Sequence, residues 1–356
     1  MKKNINIAII GTAGIPACYG GFETLVENLT RLSSNNIRYT VYCSSTLYKS
    51  KKQKHNNAEL YYVPLNANGI QSIFYDGYSI FHSIFHKRDI ILILGVSGCI
   101  FLPLARLFSK TKIITNIDGL EWKRSKWGNL TRRFLKFSEY LAMKYSDIII
   151  TDNQEITNYA LTEYNKNTVT IAYGGDHALL QNRLHEKPEE NYYLSICRIE
   201  PENNIEMILK AFSKKRNSRL KIVGNWNNSQ FGLEMKKQFS TFNNIEMIDP
   251  TYEIETLYNL RVNCKGYIHG HSAGGTNPSL VEAMHFSKPI YAFNCDFNKY
   301  TMENNGYFFS NENELIYSLE KNTLEEECEI GSIMKQIADK NYTWKNITYQ
   351  YEQLFN

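Results

Sequence analysis

Cysteine is scarce and shows no pairing pattern. Seven residues, Cys18, Cys43, Cys99, Cys197, Cys264, Cys295 and Cys328, are scattered along the chain, odd in number and without a C-x-x-C pair. This excludes a disulfide framework or a zinc knuckle and points to a reducing compartment. Long apolar runs are also missing. Ile90–Leu94 and Val96–Leu107 are interrupted by Gly95, Gly98 and Pro103, whereas a spanning helix needs about 20 continuous apolar residues. No transmembrane segment is expected. The opening MKKNINIAIIGTAG has a short apolar run that ends in Gly-Thr with no A-x-A site, so it reads as a first buried strand rather than a signal peptide. The first glycine loop lacks G-x-G-x-x-G spacing, and no acidic residue closes the second strand at Tyr39–Ser44. A nicotinamide-dependent dehydrogenase is therefore disfavoured. Charge is diffuse and no nucleic-acid-binding module is present, so nucleic acid is not an expected partner.

What is present suits a folded two-domain protein. The 356 residues are 43% hydrophobic and 21% charged, too long for one ordinary domain and too apolar for disorder. The 25 Tyr and 18 Phe read chiefly as packing residues. Residues 1–178 carry 21 Lys and Arg against 13 Asp and Glu, and the remainder 19 against 23. A basic first half suits an anionic surface; the alternative is chance variation among solvated side chains.

Strand and helix patterns alternate throughout. Ile5–Ile10, Tyr39–Cys43, Tyr61–Val63, Ile90–Leu94, Lys112–Asn116 and Asp147–Thr151 read as strands, with Phe22–Leu32 and Leu130–Lys144 as helices. A second series follows with strands at Tyr193–Cys197, Arg219–Val223, Ile245–Met247, Gly266–His269 and Pro289–Phe293, and helices at Ile205–Phe212 and Ser279–His285. Two such runs predict two parallel-sheet α/β domains. Gln181–Asn191 reads as the linker, and the basic stretch Lys49–His55 as a solvated loop. Tyr342–Phe355 has Trp344, Ile347, Tyr351, Leu354 and Phe355 at helical spacing and predicts a final amphipathic helix.

Four motifs stand where strands end. GTAGIPACYGGFE, Gly11–Glu23, follows the first strand and opens a helix. Its backbone amides and the helix N-terminus suit an anion, and Gly14, Gly20 and Gly21 permit close approach; a plain tight turn is the alternative. HGHSAGGTNPSLVEAM, His269–Met284, places small residues before a helix started by Pro278, with Glu282 one turn in. His269 and His271 lack a third metal ligand of suitable spacing. CRIEPENN, Cys197–Asn204, offers Arg198 to a phosphate or, alternatively, to Glu200 or Glu202. NIDGLEWKRSKW, Asn116–Trp127, brings Asp118 and Glu121 to a strand's carboxyl end beside Arg124 and Lys126, unless Asp118 only caps a helix. From Lys123 to Lys144, seven cations interleave with Trp, Phe and Leu, a pattern that can lie against anionic lipid or simply form a solvated helix face.

Together these motifs resemble the retaining GT-B glycosyltransferases that include sucrose and mannosyl transferases. More narrowly, they resemble a bacterial rhamnosyltransferase-type branch opening with G-T-x-G-I-P-A-x-Y-G-G-F-E. The resemblance spans Ile5 to the closing helix. It implies an α/β GT-B fold of two facing Rossmann-like domains: residues 1–180 on the acceptor side, 181–340 binding the nucleotide sugar, and 341–356 a helix crossing back to the first. It also implies a sugar, L-rhamnose or else a hexose or N-acetylhexosamine, carried by dTDP or UDP. The recipient would be a lipid-linked glycan acceptor in surface polysaccharide synthesis, either lipopolysaccharide or capsule. The enzyme would be cytoplasmic, peripheral on the inner face of the membrane, and without a cofactor. No Asp-x-Asp motif occurs, so activity is expected to survive chelation.

The implied catalytic residues are Asp118, Arg198 and Glu282. The donor would meet Gly14, Gly21, Asn203, Gly274, Gly275, Thr276, Asn277, Ser279 and Leu280, and the acceptor Tyr19, Glu23, Glu121 and Arg124. Three positions depart from the family pattern. Of the Glu-x7-Glu pair, Glu282 matches and would hold the ribose, but Gly274 stands in the first place. Of Arg-x4-Lys, Arg198 matches and Asn203 replaces the lysine. Asp118 takes the place of a histidine, and Tyr173–Asp176 resembles the N-G-x-D stretch. A GT-B nucleotide-sugar epimerase and a non-catalytic nucleotide-sugar-binding subunit are the alternatives.

Overall fold

The computed structural model describes residues 4–17, 20–124, 127–180 and 191–355. The chain divides into two compact units, residues 1–173 with 344–356, and residues 174–343.

The first unit is built on eight strands: β1 (Ile5–Ile10), β2 (Ile37–Ser44), β3 (Lys54–His55), β4 (Ala58–Val63), β5 (Ile90–Leu94), β6 (Lys112–Asn116), β7 (Ile148–Thr151) and β8 (Val169–Thr170). Their order is β3-β4-β2-β1-β5-β6-β7-β8, parallel except for the β3–β4 pair. Helices α1 (Gly21–Leu32), α2 (Gln71–Phe85), α3 (Leu102–Phe108), α4 (Asn129–Tyr145) and α5 (Gln154–Tyr164) supply the crossovers. β5 is buried along its whole length and β1 along most of it, which is why both read as unbroken Ile/Leu runs. At the end of β1, Gly11 has φ +87°, and a Cβ there would lie 2.0 Å from the Leu94 carbonyl oxygen. Only glycine permits that approach of β1 to β5.

The second unit has β9 (Tyr192–Ile196), β10 (Arg219–Val223), β11 (Ile245–Ile248), β12 (Gly266–His269), β13 (Ile290–Phe293) and β14 (Tyr307–Phe309). They form one sheet, β11-β10-β9-β12-β13-β14, parallel in every pairing. Its helices are α6 (Ile205–Lys214), α7 (Gln230–Phe239), α8 (Ile254–Val262), α9 (Pro278–Met284), α10 (Asp296–Thr301), α11 (Glu312–Lys321) and α12 (Leu324–Asn341). Leu209, Phe212, Ile222 and Trp226 are among the fully buried side chains of its core.

The last helix, α13 (Trp344–Gln353), belongs with the first unit. Trp344, Ile347 and Tyr351 form its buried stripe. The Tyr351 hydroxyl accepts from Asn116 Nδ2 at 2.8 Å, and Glu352 takes the Ser34 N–H at 2.7 Å. Truncating an aromatic in such a seam costs about 3–5 kcal/mol.

Two local expectations change. Tyr342, read as part of the last helix, ends α12 instead, and its hydroxyl donates to the Thr301 carbonyl within the second unit. Lys49–His55 is not wholly a solvated loop. Lys54 and His55 pair with β4, and His55 Nε2 sits 2.7 Å from Glu27 Oε1. Most of the linker read at Gln181–Asn191 lies outside the described residues.

Candidate active site

In the second unit, β9 lies between β10 and β12, so successive crossovers leave it in opposite directions. The loops beyond β9 and β12 therefore diverge at the carboxyl edge, where open α/β sheets hold their ligands. Residues 197–204 and 270–277 are those loops, and they are tied together. Asn203 Nδ2 donates to the Arg198 carbonyl at 2.7 Å, and its Oδ1 is 2.6 Å from His271 Nδ1. Asn204, at φ +50°, donates from Nδ2 to the Gly270 carbonyl at 2.8 Å. The Ser272 N–H and hydroxyl both donate to the Glu202 carbonyl, at 2.9 and 2.8 Å. Gly270 has no room for a Cβ, which would lie 2.1 Å from the Asn203 carbonyl oxygen.

This geometry revises several assignments. Asn203, expected to meet the donor, is only 3% exposed and its amide is taken up in joining the two loops. Arg198 keeps 39% of its side chain exposed, and its Nε stands 3.8 Å from Glu200 Oε2. Such a long surface pair contributes about 0–1 kcal/mol, so the guanidinium is not committed to it. Gly274 has φ +116°, and a Cβ there would lie 3.1 Å from His271 Nε2. Thr276 is buried. Asn277 caps α9, its Oδ1 accepting the Ser279 N–H at 3.0 Å and the Ser279 hydroxyl at 2.8 Å. Leu280 is wholly buried, so its side chain anchors α9 and does not line a site.

Glu282 is held from two sides. Its Oε2 accepts from Arg261 Nη2, and its Oε1 lies 3.4 Å from His177 Nε2. Burial alone would raise this carboxyl, but Arg261 and then His177 outweigh it and hold its pKa below the ordinary value. The expected ribose contact must therefore be made by a carboxylate that already has protein partners. Arg261 and His177 were not singled out from sequence. Arg261 falls three residues after Tyr258 and one before Val262, on the buried stripe of α8. An arginine within an apolar stripe was the available signal.

In the first unit, the order changes direction at β1 and β5, and the glycine loop follows β1. Gly14, at φ +122°, packs against Cys43, whose Sγ would be 2.6 Å from a Cβ. Gly21 is the first residue of α1. Glu23, expected on the acceptor side, is buried, and its Oε1 accepts from the Thr12 hydroxyl at 3.0 Å and the Ala13 N–H at 2.7 Å. It braces the loop from within. Tyr19 lies outside the described residues.

Beyond β6, Asp118 has φ +59°, its N–H donates to Asn116 Oδ1 at 2.9 Å, and the Tyr173 hydroxyl donates to its Oδ1 at 3.2 Å. Burial, followed by the nearby Glu121 carboxylate, pushes its pKa up. It does not cap a helix; the short turn Glu121–Lys123 starts after Leu120. Glu121 receives Arg124 Nη1 and Trp127 Nε1, each at 3.0 Å. Glu121 and Arg124 thus fasten their own loop. Among the described residues no group of three or more His, Cys, Asp or Glu side chains could hold a metal ion. His269 is buried, burial and His271 keep its pKa well below the usual value, and its Nε2 has no hydrogen-bond partner.

Residues 4–176 match a family described as a domain of unknown function, DUF1972. Residues 177–329 match the family described as Glycosyl transferases group 1. No curated protein matches the sequence. Among solved structures, sucrose-phosphate synthase from Thermosynechococcus elongatus superposes with a TM-score of 0.80 at 15% identity, covering 99% of this chain and 98% of that one. A glycosyltransferase from Rickettsia africae gives 0.74 at 14%, covering 100% and 98%. The catalytic domain of starch synthase IV from Arabidopsis thaliana, bound to ADP and acarbose, gives 0.67 at 10%, covering 99% of each chain. These likenesses show a shared GT-B fold.

Proposed function

We propose that this chain, which has a GT-B fold and a glycosyl transferases group 1 domain over residues 177–329, is a glycosyltransferase that transfers a sugar with retention from a dTDP- or UDP-linked donor to a lipid-linked glycan. The sugar proposed first is L-rhamnose, with a hexose or N-acetylhexosamine next, and the product belongs to a surface polysaccharide. The observation that carries the reading is the loop pair beyond β9 and β12, fastened by Asn203 and Asn204, with the half-exposed guanidinium of Arg198 on one loop. A diphosphate leaving group gathers negative charge as its bond to the sugar breaks. Arg198 and the backbone amides of Gly274–Asn277 stabilise that charge, and groups already fixed in place need no reorganisation as it develops. Glu282, kept charged by Arg261, orients the donor from one turn into α9. Asp118 positions the acceptor. No step calls for a metal ion.

The test is a metal-free thermal-shift panel of dTDP-rhamnose, UDP-glucose, UDP-galactose, UDP-N-acetylglucosamine and GDP-mannose. A ligand at 100 times its Kd stabilises by about 2.7 kcal/mol, so one clear responder names the donor. No responder refutes the donor site. Donor consumption with and without acceptor then separates transfer from epimerisation and from binding without turnover.

A peripheral place on the inner face of the cytoplasmic membrane is part of the proposal. The acids within α2, α3 and α4 are Asp76 and Glu139, and both are buried. The same helices expose Phe74, Leu107, Leu130 and Phe137 beside Arg133 and Lys144. Exposed apolar and basic side chains on the same helices suit anionic lipid. Flotation with phosphatidylglycerol vesicles but not with phosphatidylcholine vesicles is the expected result; equal behaviour with both refutes it.

A further inference from the structure

We propose that the groove along α4 between Trp122 and Tyr164 seats the lipid end of the acceptor, a phosphate or diphosphate on an apolar chain. The inference rests on the reading of a lipid-linked acceptor above and gives that lipid a place on the first unit.

The groove has a volume of about 520 Å³, within the range of small-ligand sites. Beside it runs a chain of aromatic rings. Trp122 neighbours Tyr159 at 6.5 Å between centroids, Tyr159 neighbours Tyr164 at 5.9 Å, Tyr164 neighbours Tyr140 at 6.5 Å, and Tyr140 neighbours Phe137 at 6.4 Å. A shared acid and a shared cation hold the rings in place. The hydroxyls of Tyr159 and Tyr164 each donate to Oε1 of the buried Glu139 at 2.6 Å. Lys136 Nζ lies 4.7 Å from the Trp122 and Tyr159 centroids and 4.8 Å from that of Tyr164. Glu139 and Glu163 stand 3.7 and 3.0 Å from that ammonium, so Lys136 is spent on the wall.

The charge offered to a ligand is that of Arg132 and Arg133, which also line the groove. Arg132 Nη2 donates to the Arg124 carbonyl at 3.2 Å, while its buried Nε has no hydrogen-bond partner. Arg133 is exposed. Among the described residues no carboxylate pairs with either arginine. Arg133, Phe137 and Tyr140 share one face of α4 at i, i+4 and i+7, and Leu130, 83% exposed, precedes them by one turn. Phe137 and Tyr140 are themselves exposed. A phosphate suits the planar N–H fork of arginine, and a hydrocarbon chain removes such exposed rings from water. A free phosphate would leave the rings uncovered, and an uncharged chain would leave the guanidinium groups without an anion.

The test titrates the full chain with farnesyl diphosphate, farnesol and inorganic pyrophosphate, for wild type, Arg132→Gln/Arg133→Gln and Phe137→Ser/Tyr140→Ser. Wild type should bind farnesyl diphosphate at least about tenfold more tightly than either fragment. The arginine variant should lose about tenfold or more for farnesyl diphosphate and nothing for farnesol. The aromatic variant should lose about tenfold for farnesyl diphosphate and farnesol alike and nothing for pyrophosphate. Either fragment binding as tightly as farnesyl diphosphate, or affinities unmoved by both variants, overturns the groove assignment and leaves the lipid-linked acceptor standing. If wild type binds no farnesyl diphosphate the assignment falls, and an absence of selective vesicle flotation would take the membrane reading with it. Should a double variant fail to fold, the exposed single changes Arg133→Gln and Phe137→Ser decide by the same selectivity.

Discussion

Replacing Arg261 by leucine should unsettle the start of α9 more than any surface change nearby. Arg261 is 3% exposed, and the Glu282 side chain it meets is 16% exposed. Breaking a buried ion pair by removing one partner costs about 3–5 kcal/mol. His177 remains beside Glu282 at 3.4 Å, so the lower end, about 3 kcal/mol, is expected. The cost should depend on pH in a defined sense. Burial raises the Glu282 carboxyl, but Arg261 and His177 hold it below its ordinary value near 4.5. A depressed carboxyl stabilises the fold fully above its unfolded pKa and loses that contribution as pH falls through the folded one. The deficit of Arg261→Leu should therefore be largest at pH 7–8 and shrink as pH falls, first as the carboxyl, without Arg261 to oppose burial, protonates in the variant, and then as it protonates below its ordinary value in the wild type. Because two units need not unfold together, the assay is hydrogen exchange of the β12 and α9 amides. A loss of about 3 kcal/mol corresponds to roughly 150-fold faster exchange. The Arg261→Leu/Glu282→Gln double variant should recover much of it, since no charge is left buried. A deficit that is the same at pH 4 and pH 8, or exchange within threefold of wild type, refutes the reasoning.

Arg198→Ala should lower turnover by about 100-fold or more with an unchanged melting curve, as expected for removal of one charge-stabilising donor; near-normal turnover removes Arg198 from the site. Asp118→Asn suits the backbone, because asparagine tolerates φ +59°. A buried carboxyl whose pKa is raised stabilises below its unfolded pKa and loses that contribution as pH rises through the folded one. The variant should therefore melt with wild type at pH 4 and above it at pH 8, while transfer falls by about 100-fold; a variant less stable at pH 8 refutes the account. Gly274→Glu, which writes the expected glutamate back in, should cost about 1–3 kcal/mol through its positive φ and the His271 ring, seen as a lower Tm without gain in transfer. An equal or higher Tm would show that the loop relaxes.

The sheets were legible to a degree that the sites were not, for a physical reason. β5, β6, β10 and β12 fall on the predicted residues, because a parallel strand buried on both faces must be an apolar run with a turn at its end. α2 went unread because it exposes Phe74, Tyr78 and Phe85 while burying Asp76 and Ser83, which erases the one-sided pattern. α12 carried a readable signal in its Thr323–Glu326 capping box. At the sites, the residue types were found in the right loops, but their use was not. Glu23, Glu121, Asn203 and Ser279 are polar groups next to glycine turns, as ligand contacts would be. The structure turns each of them onto its own neighbourhood. A carboxylate that braces a loop and one that meets a ligand look alike in sequence, since both satisfy backbone amides or cations at a strand's end.

Two of the departures from the pattern that the sequence resembles meet at one ring. Gly274 replaces a glutamate and Asn203 replaces a lysine, some seventy positions apart in sequence. Asn203 Oδ1 lies 2.6 Å from one nitrogen of His271, and the other nitrogen lies 3.1 Å from where a side chain at 274 would begin. A lysine at 203 has no acceptor to offer that ring. A side chain at 274 would start against that same ring, from a backbone angle that favours glycine. Each substitution is intelligible given the other and given His271 between them. The loss of two charged groups therefore does not by itself mark a worn-out site. The remaining cation, Arg198, shares a loop and a hydrogen-bonded carbonyl with Asn203, the residue that meets the His271 ring.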